Sequence, residues 1–177
     1  DAEIQDDWYV AGLQGTGSNS LVVKDLAIPE HRYLSLMGLL NHDTPGMGNG
    51  YDGWLHKAEA VPVLAIALCG GAVGLGRAAV KQFRENIQGK TVAYTEHLQT
   101  DWSSTHITMG KSASLIDAGE LLLYRAADDT DRLAQAGEQM SMEMRGRIRM
   151  DCAHGVRLIL EGANELFITG GGAGLLL

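Results

Sequence analysis

Residues 140–168 read MSMEMRGRIRMDCAHGVRLILEGANELFI. Met140, Met144, Ile148, Cys152, Val156, Ile159, Ala163 and Leu166 recur every three or four positions, while Arg145, Arg149, Arg157 and Glu161 fall between them. That period belongs to an amphipathic α-helix, because 3.6 residues per turn brings such positions onto one stripe. A helix over 137–168 is therefore expected, stopped by the glycines that follow it.

The same test applied upstream gives two more long helices. One is expected from Pro62, a good first helical residue, to about Ile87. Val63, Ile66, Gly70, Val73 and Arg77 share one of its faces, yet the opposite face carries Leu64, Leu68, Cys69 and Leu75. A helix apolar all round is expected at the centre of a bundle. The other is expected over 105–127, with Ile107, Ala113, Ile116, Glu120 and Leu123 at helical spacing and a break at Asp128-Asp129-Thr130. Rods of roughly 35 to 48 Å follow from 1.5 Å per residue, and rods that long pack up and down as a bundle.

Before residue 50 the pattern changes. Residues 8–13 (WYVAGL) and 20–28 (SLVVKDLAI) are short, β-branched or alternating stretches separated by Gly and Ser, and are expected as antiparallel strands, with a third short one near 33–36. NHDTPGMGNG (41–50) gathers turn formers and reads as a loop. So few strands cannot enclose a core alone.

Composition sets the outer limits. The 177 residues are 45% hydrophobic and 20% charged, as in ordinary soluble domains. A net charge of −8 and no cluster of Lys and Arg argue against a nucleic-acid partner. The apolar run over 61–76 is shorter than the ~20 residues of a membrane span, so none is expected. Neither a basic n-region nor an apolar h-region opens the chain, and Cys69 and Cys152 are expected as buried free thiols, so a cytoplasmic setting is expected. The apolar faces that three helices leave uncovered predict a homo-oligomer.

Several motifs carry possible chemistry. Gly12, Gly15 and Gly17 look like a phosphate loop, but a strand rather than a helix follows, so a turn between strands is expected. GGGAG (170–174) is either a helix stop or a nest of backbone N–H groups for a phosphate or ribose. The six histidines show no zinc-type spacing, so no metal site is expected, and His154 is expected in the core. DDTD (128–131) lacks the glycine and distal glutamate of a calcium loop and is expected as a solvated turn. Arg145, Arg147 and Arg149 cannot share one helix face and are expected to bridge between subunits.

WYVAGLQGTGS (8–18) followed by VVKDLAIPEHR (22–32), together with RMDCAH (149–154) and EGANELF (161–167) ahead of the glycines, resembles the acyl-CoA dehydrogenase superfamily. It looks closest to the oxygenase components of two-component flavin-dependent monooxygenases. The resemblance spans nearly the whole chain and implies a mainly α fold. In it the last strands of an antiparallel β-domain (1–50) precede a long-helix bundle of four-helix type (51–177) that continues past the C-terminus. The chain then corresponds to the C-terminal part of a longer protein, with its catalytic residues outside it.

The resemblance also implies a homotetramer, a flavin reductase partner, and hydroxylation of an aromatic, phenolic or amine substrate by O2 on a reduced FMN or FAD through a C4a-hydroperoxide. Gly171 and Gly172 match the family's glycine pair near the flavin phosphate or ribose, and Arg84 lies near its phosphate-binding arginine. Ile168 stands where dehydrogenases carry Gln, and Arg84-Glu85-Asn86-Ile87 replaces their R-x-x-F, both as in the monooxygenase branch. A dehydrogenase would need a carboxylate base, for which Glu59 is the nearest candidate. A non-catalytic oligomerising piece is the remaining alternative.

Overall fold

The computed structural model describes residues 1–41 and 53–171. It divides into two units, Asp1–Leu36 and Met37–Leu177. The domain boundary expected at 50/51 and the turn-rich loop both fall within 42–52, outside the described residues, as do Gly172 and the rest of the glycine run.

The first unit is an antiparallel hairpin of β1 (Ala2–Gln5) and β2 (Ser20–Val23), with Ala2 opposite Val23 and Gln5 opposite Ser20. The expected strand at 8–13 is not formed. That stretch is the connection between the strands, held instead by side chains. Asn19 Oδ1 accepts the Trp8 N–H, Asp7 Oδ1 accepts the Ser20 N–H at 2.8 Å, and the Trp8 indole donates to the Leu13 carbonyl. The Ser20 hydrogen bonds hold the Asp7 carboxyl below the usual carboxylate range. The glycine-rich stretch is a single tight turn over Gln14–Thr16, with Leu13 and Gly17 left-handed at φ 59° and 55°. Residues 33–36 form no strand either, and none of residues 1–36 is buried.

The second unit is helical. After the short α1 (Leu36–Leu40) come α2 (Ala60–Asn86), α3 (Ser103–Ala136) and α4 (Met142–Gly170). The long helices are the three expected, with two shifts of boundary. α3 runs straight through 128–130, because Asp129 is neutralised there by Arg132 on its own helix and by Arg147 on α4. The hydrogen bond from Arg147 also pulls the Asp129 carboxyl below its ordinary range. α4 starts five residues later than expected, where the Ser141 hydroxyl caps the Met144 N–H and Gly137 at φ 68° ends α3.

α3 and α4 pack along their length through positions spaced alternately by four and three: Ser112, Ile116, Gly119, Leu123, Ala126 and Thr130 on one side, Ile148, Cys152, Gly155, Ile159, Gly162 and Leu166 on the other. This is the spacing of a slightly crossed helix pair. The glycines set how close it is. A Cβ on Gly155 would stand 2.8 Å from the Gly119 carbonyl oxygen, and one on Gly162 2.7 Å from that of Ser112. Ile159 then fills the notch between Gly76 of α2 and Gly119 of α3, where an added Cβ would come within 2.8 Å and 2.7 Å of its side chain. The buried stripe of α4 thus uses Gly155 and Gly162, not the expected Val156 and Ala163, which are half-buried.

α2 is not the central helix within this chain. Leu64, Leu68 and Leu75 point outward, and only 11% of its most apolar stretch is buried. At 27 residues it is long and apolar enough to cross a membrane by length and composition, beyond the length of the apolar run alone. His154, expected in the core, is exposed beside Arg157. Cys69 and Cys152 are free, as expected, and burial beside Cys69 pushes the Cys152 thiol up to about 11.

Candidate functional site

Arg77, Lys81 and Arg84 repeat at helical spacing on one face of α2 and, with Gln88 just past its end, look across at Ala113, Ser114, Asp117 and Glu120 of α3. Between them lies an open cleft of about 1000 Å³ floored by Val80 and Ile116. It exists because α2 and α3 touch through Gly76 and then separate; Ile116, which fills the contact, is the first residue of the floor.

Arg77 closes one end. Its guanidinium grips Glu120 with two of its nitrogens, Nε at 3.0 Å and Nη2 at 2.7 Å, and donates to the Tyr124 hydroxyl at 3.1 Å. Those bonds, Glu120's first, raise the already high pKa of Arg77. Among the described residues, the Lys81 ammonium and the Arg84 guanidinium make no hydrogen bond or ion pair, so their positive charge is available to the cleft, tempered by Glu85 and Asp117 on its rim. An apolar floor with a free guanidinium and ammonium at the edge suits a phosphate carried on an apolar body.

Gly171 stands at the same end of the bundle, where Phe83, beside Arg84 in sequence, packs with Leu166 and approaches Gly170. Its φ of 68° and ψ of −165° are accessible almost only to glycine. Its own N–H donates to the Ile168 carbonyl, so this first glycine serves as the helix stop. The last carbonyls of α4 are taken as well: Lys90 Nζ donates to Gly170 O at 2.5 Å and Gln99 Nε2 to Thr169 O at 3.0 Å. Lys90 is thus a cation at the negative end of a helix. Neither residue was singled out from sequence, since 70 and 80 positions separate each from its partner.

The residues of the other candidates are engaged structurally. Glu59 is 7% exposed; its Oε1 accepts the Met140 N–H at 2.9 Å, and its Oε2 lies 2.7 Å from Arg145 Nε, off the line of a good hydrogen bond. It anchors the start of α2 against the start of α4. Arg145 also donates to the Leu40 carbonyl, and Arg147 binds Asp129 and approaches Asp151, so two of the three arginines expected to bridge subunits form pairs within the chain. No grouping of metal ligands occurs among the described residues.

Residues 66–177 match the family described as acyl-CoA dehydrogenase, C-terminal domain. Over 98% of its length the chain is 31% identical to the flavin-dependent monooxygenase, oxygenase subunit HsaA of Mycobacterium tuberculosis, spanning 44% of that protein. The crystal structure of HsaA superimposes with a TM-score of 0.80. XiaF from Streptomyces sp., solved in complex with FADH2 and glycerol, superimposes over 99% of the chain and 44% of its own with a TM-score of 0.84 and 26% identity. The oxygenase component of p-hydroxyphenylacetate 3-hydroxylase from Acinetobacter baumannii is 21% identical over 97% of the chain and 40% of its own length. The chain therefore spans less than half the length of the relatives it matches.

Proposed function

Because this chain belongs to the family of the acyl-CoA dehydrogenase C-terminal domain, we propose that it forms the flavin-contacting bundle of the oxygenase component of a two-component flavin-dependent monooxygenase. The observation that carries this reading is the agreement in fold, over 99% of the chain, with the HsaA monooxygenase and with XiaF, which was solved in complex with FADH2. The position of Glu59 supports it from the other direction. A dehydrogenase base must face its substrate, whereas this carboxylate is buried against Arg145 and the Met140 N–H.

The residues present fit a flavin. Arg84, its side chain unpaired at the edge of a cleft with an apolar floor, would hold its phosphate, and Gly171, where an added Cβ would meet only Lys90 Nζ at 3.9 Å, lets the cofactor approach the backbone. Gly172 completes the glycine pair and lies outside the described residues. When bound in reduced form, the flavin supplies the oxygen-transfer chemistry. The bundle binds and orients it and, with its apolar faces, keeps water away. The substrate is an aromatic or phenolic compound, the electrons come from a separate flavin reductase, and the setting is cytoplasmic.

The exposed leucines of α2 are covered in our reading by further copies, giving a homo-oligomer, a tetramer by family resemblance, instead of by lipid. The direct test mixes the full protein with chemically reduced FAD or FMN, 18O2 and a panel of phenols, and looks for a hydroxylated product carrying one labelled oxygen. Anaerobic bleaching of bound flavin by an acyl-CoA thioester, without such a product, would replace this reading with a dehydrogenase. Size-exclusion chromatography with light scattering tests the oligomer.

A further inference from the structure

A second cavity, of about 340 Å³, opens between the first turns of α2 and α4. Leu40, Val61, Pro62 and Met142 give it apolar walls, and two guanidinium-bearing residues one helical turn apart, Arg145 and Arg149, line it from α4. Its volume lies at the small end of the range for ligand pockets, which suits one aromatic ring with a substituent. The two arginines differ. Arg145 is fixed, by Glu59 and by the Leu40 carbonyl. Arg149 has no acidic partner among the described residues. Between them sits Gly146, where an added Cβ would meet no atom within 4 Å. Gly146 thus leaves open space on the face of α4 that lines the cavity.

We propose that this cavity is a substrate subsite selecting an arene that bears a carboxylate, with Arg149 pairing with the carboxylate and the ring held by Val61, Pro62 and Met142. A guanidinium offers a carboxylate two parallel N–H donors, and the apolar lining gives the ring a surface to lie on. Arg145, already neutralised by Glu59, acts as a positioning residue that holds Leu40 and the start of α2 against α4. This deepens the monooxygenase reading and rests on it, since a substrate subsite supposes an enzyme acting on arenes.

Gly146 provides the test, because it lines the cavity and a side chain added there starts into open space. In the full protein, titration calorimetry with 4-hydroxybenzoate and with phenol compares wild type, Gly146→Leu and Arg149→Gln, with thermal melts confirming the fold of each. Wild type is expected to bind the acid about tenfold or more tightly than phenol, the strength of one charge-assisted pair. Arg149→Gln is expected to erase that preference while leaving phenol binding intact. Gly146→Leu is expected to lose the acid with no fall in melting temperature. Binding of 4-hydroxybenzoate that is equal in wild type and Gly146→Leu, or indifferent to Arg149→Gln, overturns the subsite. Turnover of neutral phenols with reduced flavin is measured in parallel: if it persists while binding ignores both substitutions, the subsite falls and the monooxygenase reading stands. If wild type turns over no arene, that reading falls, and calorimetry still decides the binding claim.

Discussion

α3 has two neighbours and meets them in opposite ways. Toward α4 it presents Ser112, Gly119 and Leu123 to Gly162 and Gly155, with backbone nearly touching backbone at the glycines and Ile159 filling the notch between them. Toward the C-terminal half of α2 it presents Ala113, Asp117 and Glu120 across an open cleft where Lys81 and Arg84 keep unspent charge. One helix thus serves as a structural spine on one side and a binding wall on the other, and the switch is made by side-chain size. Glycine closes the first interface, whereas long charged residues hold the second open. A seam this tight is what allows the other side to stay unfilled.

Enlarging a glycine should break the seam first. Gly155→Leu pushes a side chain into the Gly119 carbonyl and Leu123, and overpacking against backbone is expected to cost more than about 3 kcal/mol. Chemical denaturation of the variant should show a sharply lowered midpoint or no cooperative transition. Ile159→Ala empties the notch at Gly76 and Gly119 and should cost about 3 kcal/mol with the fold kept, measured the same way. Ser112→Ala goes the other way. The Ser112 hydroxyl is fully buried with no hydrogen-bond partner, so removing it should raise stability by about 1 kcal/mol. Arg84→Ala, on the cleft side, should leave the melting curve where it was and weaken reduced-flavin binding about tenfold by equilibrium dialysis. If instead Arg84→Ala destabilises the fold, or Gly155→Leu is tolerated, the contrast between the two sides is wrong.

The long helices were legible in the sequence because their periodicity is local: Ile148, Cys152, Ile159 and Leu166 mark α4 without reference to anything else. What was not legible depends on distant partners. Asp128-Asp129-Thr130 reads as a break, and it is the pairing of Asp129 with Arg132 and with Arg147, eighteen positions on, that suits it to a helix. Gly155 and Gly162 score as weak helix formers, so the stripe was assigned to Val156 and Ala163; their value appears only when Gly119 and Ser112 face them. Trp8–Leu13 has the composition of a strand, but Asp7 and Asn19 bind the backbone across the connection and draw it into a loop. For the site, Arg84 and Gly171 were named from resemblance, and the cleft itself could not be foreseen, since it is an absence of packing. The Glu59–Arg145 anchor joins residues 86 apart in the chain and leaves no periodic trace.

The two side chains that reach α4 from the connector between α2 and α3 have a mechanical meaning. Lys90 and Gln99 hold the carbonyls of Gly170 and Thr169, so the last turn of α4 is clamped against fraying, and Gly171 leaves it in a conformation only glycine adopts. Gly171 is thereby held as a fixed pivot at the end of the bundle. The connector is therefore a gauge block as well as a link: adding or deleting one residue between Lys90 and Gln99 would release or turn that pivot while leaving the long helices in place.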